Sequence, residues 1–151
     1  MSFEHDGCEW CIKIIMSSLD PDERDFGHLE GHITYEIEFG ENINKIQGIL
    51  TKFPDLVHHK DWADFLPIHH CAKNGKHKIM KMLIDEFGSN IDDIADSMSP
   101  LLIAACYGKL DCIALLMNRG ANLIIKDHNG YNYISHLKHF YKNLNKIFEI
   151  L

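Results

Sequence analysis

The chain has 151 residues, 46% of them hydrophobic and 25% charged, with only four prolines, which suits one folded domain with a continuous core and excludes a disordered segment. Its net charge of −7 excludes a surface built to track nucleic-acid phosphates, a task that needs a surplus of lysine and arginine. The eleven histidines would reduce that charge in acid.

The opening residues, MSFEHDGCEW, lack the basic and apolar regions of a secretion signal. Cys8, Cys11, Ile12, Ile15, Met16 and Leu19 fall on one helical face, which predicts a helix within residues 1–27 that caps whatever follows. SLDPDERDFG reads as a solvated link after it. Cys8 and Cys11 also have the spacing of a metal chelate or a redox pair. A single pair is half a zinc site, and His5, His28 or His32 would have to complete it. A thioredoxin-like use needs a βαβ setting. Burial in the cap is therefore the first reading, and zinc- or thiol-dependent chemistry at Cys8 and Cys11 is the alternative. The five cysteines, Cys8, Cys11, Cys71, Cys106 and Cys112, are odd in number and several stand in apolar surroundings. That favours reduced thiols in an intracellular, cytoplasmic protein.

From residue 28 onward the chain repeats itself. Pro67 and Pro100 stand 33 residues apart. The same offset relates Ile68 to Leu101, Ala72 to Ala105, Gly75 to Gly108 and Leu83 to Leu116. One step back reaches Tyr35, Phe39, Ile46 and Leu50; one step forward reaches Tyr133, Ile134 and Leu137. Four units follow: 28–60, 61–93, 94–126 and 127–151. Each opens with a short helix that starts near the proline, where the missing N–H costs nothing, and Ser99 supplies a side-chain cap in the third unit. Gly75 and Gly108 end it, because glycine takes the left-handed conformation most readily. A second helix follows, with Ile79, Met82 and Leu83 and then Ile113, Leu116 and Met117 at helical spacing. Polar links lead onward. The longest apolar run, residues 101–107, is too short to span a bilayer.

The segments DWADFLPIHHCAKNG and SPLLIAACYGKLDCIALLMNRGANLIIKD resemble the ankyrin repeat, and FPDLVHHKD resembles the link between such repeats. The end units, GHITYEIEF and YNYISHLKHF, match in apolar positions more than in signature residues, as units that face water on one side should. The resemblance implies an all-α fold: a solenoid of stacked helix-turn-helix units with the N-terminal helix as cap. Asp64 and Ser97 stand where the family has its turn glycine, Leu66 where it has threonine, and Leu102 and Ser135 where it has histidine. Glu86-Phe87-Gly88 delays the later glycine by one residue, so the next loop tip, or finger, should be one residue short.

In such repeats the histidine after the proline bonds backbone groups of neighbouring loops, a role that falls to His69. His70 should then face the second helix or solvent, Cys71 should be core, and His58 and His59 should be exposed. His69 and His70 point in different directions on a helix, whereas zinc needs convergent ligands. A nucleophilic Cys71 or Cys106 lacks a strand-and-loop framework to orient a base. No catalytic residue, cofactor or metal ligand is expected in this region.

The resemblance implies a protein-binding module, an adaptor or inhibitor, that works through fingers and first helices. The positions it implicates are Trp62, Phe65, Lys73 and Asn74, then Asp96, Met98, Cys106 and Tyr107, then His128, Asn129 and Tyr131. Trp62, Phe65, Met98, Tyr107 and Tyr131 would supply the aromatic and thioether groups that interface centres favour, unless Phe65, Met98 and Tyr131 tuck between fingers. Asp61, Asp64 and Asp96 would form an acidic rim, which suits a partner protein with a basic or amphipathic surface rather than nucleic acid or membrane. The free chain is expected to be a monomer. Short proteins of this shape are similar to viral inhibitor-of-kappa-B mimics and to effectors that intracellular bacteria deliver. That resemblance implies action in a host cytoplasm or nucleus.

Overall fold

The structure is a computed structural model that describes residues 33–40, 42–61 and 63–150, with side chains as far as 146. The expected N-terminal cap, with Cys8 and Cys11, lies outside the described residues.

The first unit begins with helical residues 33–35 that widen into a π-helical turn, Glu36–Gly40. Helix α1, Ile43–Lys52, follows, and the Asn42 side chain takes the Lys45 N–H at its start. A 3₁₀ turn, Pro54–His58, closes the unit. It buries Leu56 and Val57 and leaves His58 and His59 exposed, as expected. Glu36 is buried, and its carboxylate is matched by the Lys45 ammonium at 3.2 Å, as a charge out of water requires.

The two middle units are helical hairpins: α2, Pro67–Asn74, with α3, His77–Asp85, then α4, Pro100–Cys106, with α5, Leu110–Asn118. Pro67 and Pro100 begin equivalent helices, and Gly75 and Gly108 follow them at φ 72° and 65°. Gly108 has a second reason to lack a side chain. The Phe140 ring occupies the place a Cβ would take.

The last unit departs from the hairpin. Its helix α6 runs unbroken over Tyr133–Ile150. One period after Gly108 the chain carries Tyr141, which has no cheap route into the left-handed region, so the helix continues where its predecessors stop.

First helices stack on first helices: the π turn on α2, α2 on α4, and α4 most extensively on α6. Behind them α3 packs on α5. One core runs through the stack, from Ile37, Ile46 and Leu50 through Ile68, Met80 and Leu83 to Leu101, Ala105 and Leu116. Cys71 and Cys112 belong to it, and burial pushes both thiols up, Cys112 to about 11. On the rear surface Arg119 grips Asp85 with two bonds of 2.8 Å. That pairing holds the Asp85 carboxyl below its usual range. No helix among the described residues is long and apolar enough to cross a membrane.

The fingers explain the glycine substitutions. Asp64, Ser97 and Gly130 share positive φ, at 66°, 64° and 82°, so aspartate and serine tolerate here what glycine does freely. In the second and fourth units the finger closes between Asp61 and Phe65 and between Asp127 and Tyr131, with identical bond patterns. In the third it closes between Ala95 and Met98 around Asp96 and Ser97, both at positive φ. That is the signature of a two-residue type I′ turn. The third finger is therefore one residue shorter, as Glu86-Phe87-Gly88 implied.

Candidate functional site

His69 is held as the repeat requires. It is buried, its Nδ1 accepts the Leu66 N–H at 3.2 Å, and its Nε2 lies 2.9 Å from the Asp93 carbonyl. An Nδ1 that accepts leaves the proton on Nε2, which donates to Asp93. Burial lowers the His69 pKa from 6.5, against the opposing pull of Asp93. The ring is thus a neutral brace between α2 and the following link. It is no ligand.

His70 corrects the expectation that it faces the second helix or solvent. Its Nε2 lies 2.6 Å from Asp61 Oδ2, and its Nδ1 lies 3.6 Å from Glu38 of the first unit. The other Asp61 oxygen accepts the Ala63 and Phe65 N–H groups, each at 2.9 Å. One carboxylate therefore shapes the finger and seats an imidazole against it. The sequence signal was the Asp61–His70 interval of nine residues, repeated at Asp127–His136.

These side chains border a groove of about 560 Å³ between the fingers and the first helices. Its apolar lining includes Phe65, Met98, Ile103 and Tyr107; its polar lining includes Glu38, Asp61, Asp96 and Lys73. Phe65 lies edge-on to His69 and His70. Phe65 and Met98 also lean on the core, so each serves both stack and groove. Tyr107 is 47% exposed, with the Lys73 ammonium 6.0 Å from its ring centre, within cation–π range. Glu38 and Thr34 reach the groove from the first unit, whose weak repeat signature hid them. Another hollow runs along Ile134, Leu137 and Tyr141, and among the described residues its lining comes from α6.

Of the residues singled out from sequence, Phe65, Lys73, Asp96, Met98, Cys106 and Tyr107 meet in this groove. Asn74 lies at the end of α2, where its side chain bonds the His70 carbonyl at 2.9 Å. His128, Asn129 and Tyr131 form the exposed fourth finger, outside the groove lining. Trp62 lies outside the described residues. Cys106 approaches His136 Nδ1 at 3.1 Å, and His136 Nε2 lies 2.9 Å from Asp127 Oδ2. His136 thus lies between Cys106 and Asp127 of the fourth finger. Among the described residues no cluster of histidine, cysteine, aspartate or glutamate could hold a metal ion.

Residues 38–127 match the family model for ankyrin repeats in three copies. The chain is 30% identical over 88 residues to "Probable E3 ubiquitin-protein ligase XBOS31" of Oryza sativa subsp. japonica, a match that covers 57% of this chain and 20% of that protein. It is 28% identical over 88 residues to "E3 ubiquitin-protein ligase XB3" of the same plant, covering 57% of this chain and 19% of the relative. The chain thus spans about one fifth of the length of the curated relatives it matches. With its paired helices stacked as a solenoid and the family pattern spanning more than half its length, the chain belongs to the ankyrin-repeat family.

Proposed function

We propose that the chain is a protein-recognition module that seats a partner segment in the groove between its fingers and first helices. The segment carries a lysine or arginine beside apolar residues. The observation that supports this is the lining itself: among the described residues Phe65, Met98 and Tyr107 give it apolar surface, and the acids Glu38, Asp61 and Asp96 outnumber its lysine, Lys73. A partner gains apolar burial at about 25 cal/mol per Å². Complementary charge sets its orientation. His70 already bridges Asp61 and Glu38, so the acids that meet an incoming cation first are Asp96 and the free side of Glu38.

Binding alone serves either of two ends. An inhibitor acting in a host cell, as the resemblance to short pathogen proteins implies, would occlude its partner by filling this groove. An adaptor would hold the partner for another protein to act on. The matched relatives are named as ubiquitin ligases, which favours recruitment as the second reading.

Selection from a library of displayed random peptides tests the groove. The wild type should enrich peptides with lysine or arginine next to apolar residues. The double substitution Tyr107→Ala with Asp96→Asn, which removes the charge but keeps a residue that tolerates positive φ, should abolish that enrichment while the melting temperature holds. An unchanged peptide consensus in the folded double variant would remove the groove from the reading.

A further inference from the structure

Cys106, at the edge of the groove, forms a row with His136 and Asp127 that sets a thiol beside an imidazole and a carboxylate. Asp127 is fixed first. Its Oδ1 accepts the Asn129 and Tyr131 N–H groups at 2.9 and 3.0 Å, and its Oδ2 faces His136. The Tyr131 and Asn129 amides and His136 hold the carboxyl below its usual range, so it is an anion that accepts. With Asp127 accepting at Nε2, the neutral ring turns its Nδ1 lone pair to Cys106 Sγ, 3.1 Å away. Nucleophile, base and orienting acid stand in a line.

We propose that Cys106 is a base-assisted nucleophile that captures soft carbon electrophiles, α,β-unsaturated carbonyl compounds, entering the groove. Sγ bonds the β-carbon as the carbon–carbon π bond breaks. The thiol proton passes to His136 Nδ1 and then to the α-carbon, leaving a thioether and restoring the neutral ring. Nothing is oxidised and nothing leaves. Cys106 lines the groove beside Met98, Ile103 and Tyr107, which offer an apolar seat for the electrophile.

Burial and the Asp127 charge push the Cys106 thiol up, so at rest it keeps its proton and needs a base during attack. The Tyr107 and Gly108 N–H groups at the end of α4 already bond the Ile103 and Ala105 carbonyls, so they offer no oxyanion hole for acyl transfer. The site stands independently of the peptide-binding reading.

N-ethylmaleimide is the probe, used at limiting concentration on the full chain with peptide-mapped mass spectrometry to assign each adduct. Cys106 labelling in the wild type should slow in deuterium oxide. Replacing the base by His136→Gln should lower its rate about a hundredfold, the low end of what a positioned base supplies. Asp127→Asn should lower it less, because it acts through His136. An unchanged Cys106 rate in a folded H136Q protein overturns the proposal. So does a wild-type rate indifferent to deuterium, a readout that holds even if a variant fails to fold.

Discussion

The second and third units share one hairpin and differ in how they brace it. In the second, Asp61, His69 and His70 tie finger, helix and link together through polar bonds. In the third, the residues one period on are Ile94, Leu102 and Ile103; Leu102 and Ile103 are buried, and the polar role moves to Ser99, whose Oγ takes the Leu102 N–H at 3.3 Å. The shared features are the proline, the left-handed glycine and the core leucines Leu83 and Leu116. The hairpin thus depends on backbone punctuation and burial. The brace is interchangeable, and where it is polar it also furnishes the groove's polar lining.

Replacing the brace of the second unit with that of the third is the strongest way to break this comparison. His69→Leu should cost about 2–4 kcal/mol, since it strands the buried Leu66 N–H and the partly buried Asp93 carbonyl, at roughly 1–3 kcal/mol for a fully buried group. Chemical denaturation measures it. The cost should also depend on pH. His69 has a folded pKa below 6.5, so below pH 6.5 the unfolded chain binds the proton that the fold refuses. The stability from His69 is full above that value and falls as pH drops through the window beneath it. The gap between wild type and H69L should therefore narrow in acid; a gap that widens there would contradict the neutral ring.

Asp61→Ala should cost about 1–2 kcal/mol, because two finger N–H groups and His70 lose one acceptor. Asp61→Asn should recover part of that loss, as its amide oxygen can still accept the backbone bonds. Equal losses in both variants would mean that charge, not finger shape, is what Asp61 provides.

The smallest effect sharpens the comparison instead. Leu66 stands one period before Ser99 and offers no side-chain cap. Leu66→Thr gives the second unit such a cap, for a gain of up to about 1 kcal/mol, less the burial that Leu66 forfeits. Thermal melting beside Ser99→Ala, which should lose about 1 kcal/mol, reads both directions of the same exchange.

Much of this architecture was legible in the residues alone. The 33-residue period, the prolines, Gly75 and Gly108 placed the middle hairpins, and the shifted Gly88 foretold the shorter third finger. The His69 brace followed from the resemblance to ankyrin repeats, and its role is local: it bonds its own helix start and the adjoining link. The place of His70 did not follow, because its partners sit on a finger and on the preceding unit. The fourth unit misled the periodic reading. Apolar spacing continues through it, and spacing says nothing about whether a turn residue is present; Tyr141 in place of a glycine turned an expected hairpin into one helix.

By itself, the sequence determined the repeat, its helix starts and stops, and the apolar face of each element, since propensity and period act over a few residues. Only tertiary structure decided which side chains meet across units: Glu38 with His70, Lys73 with Tyr107, Cys106 with His136. Those distances depend on how one hairpin sits on the next. Packing sets that offset through the summed shape of many buried side chains, and no single residue announces it.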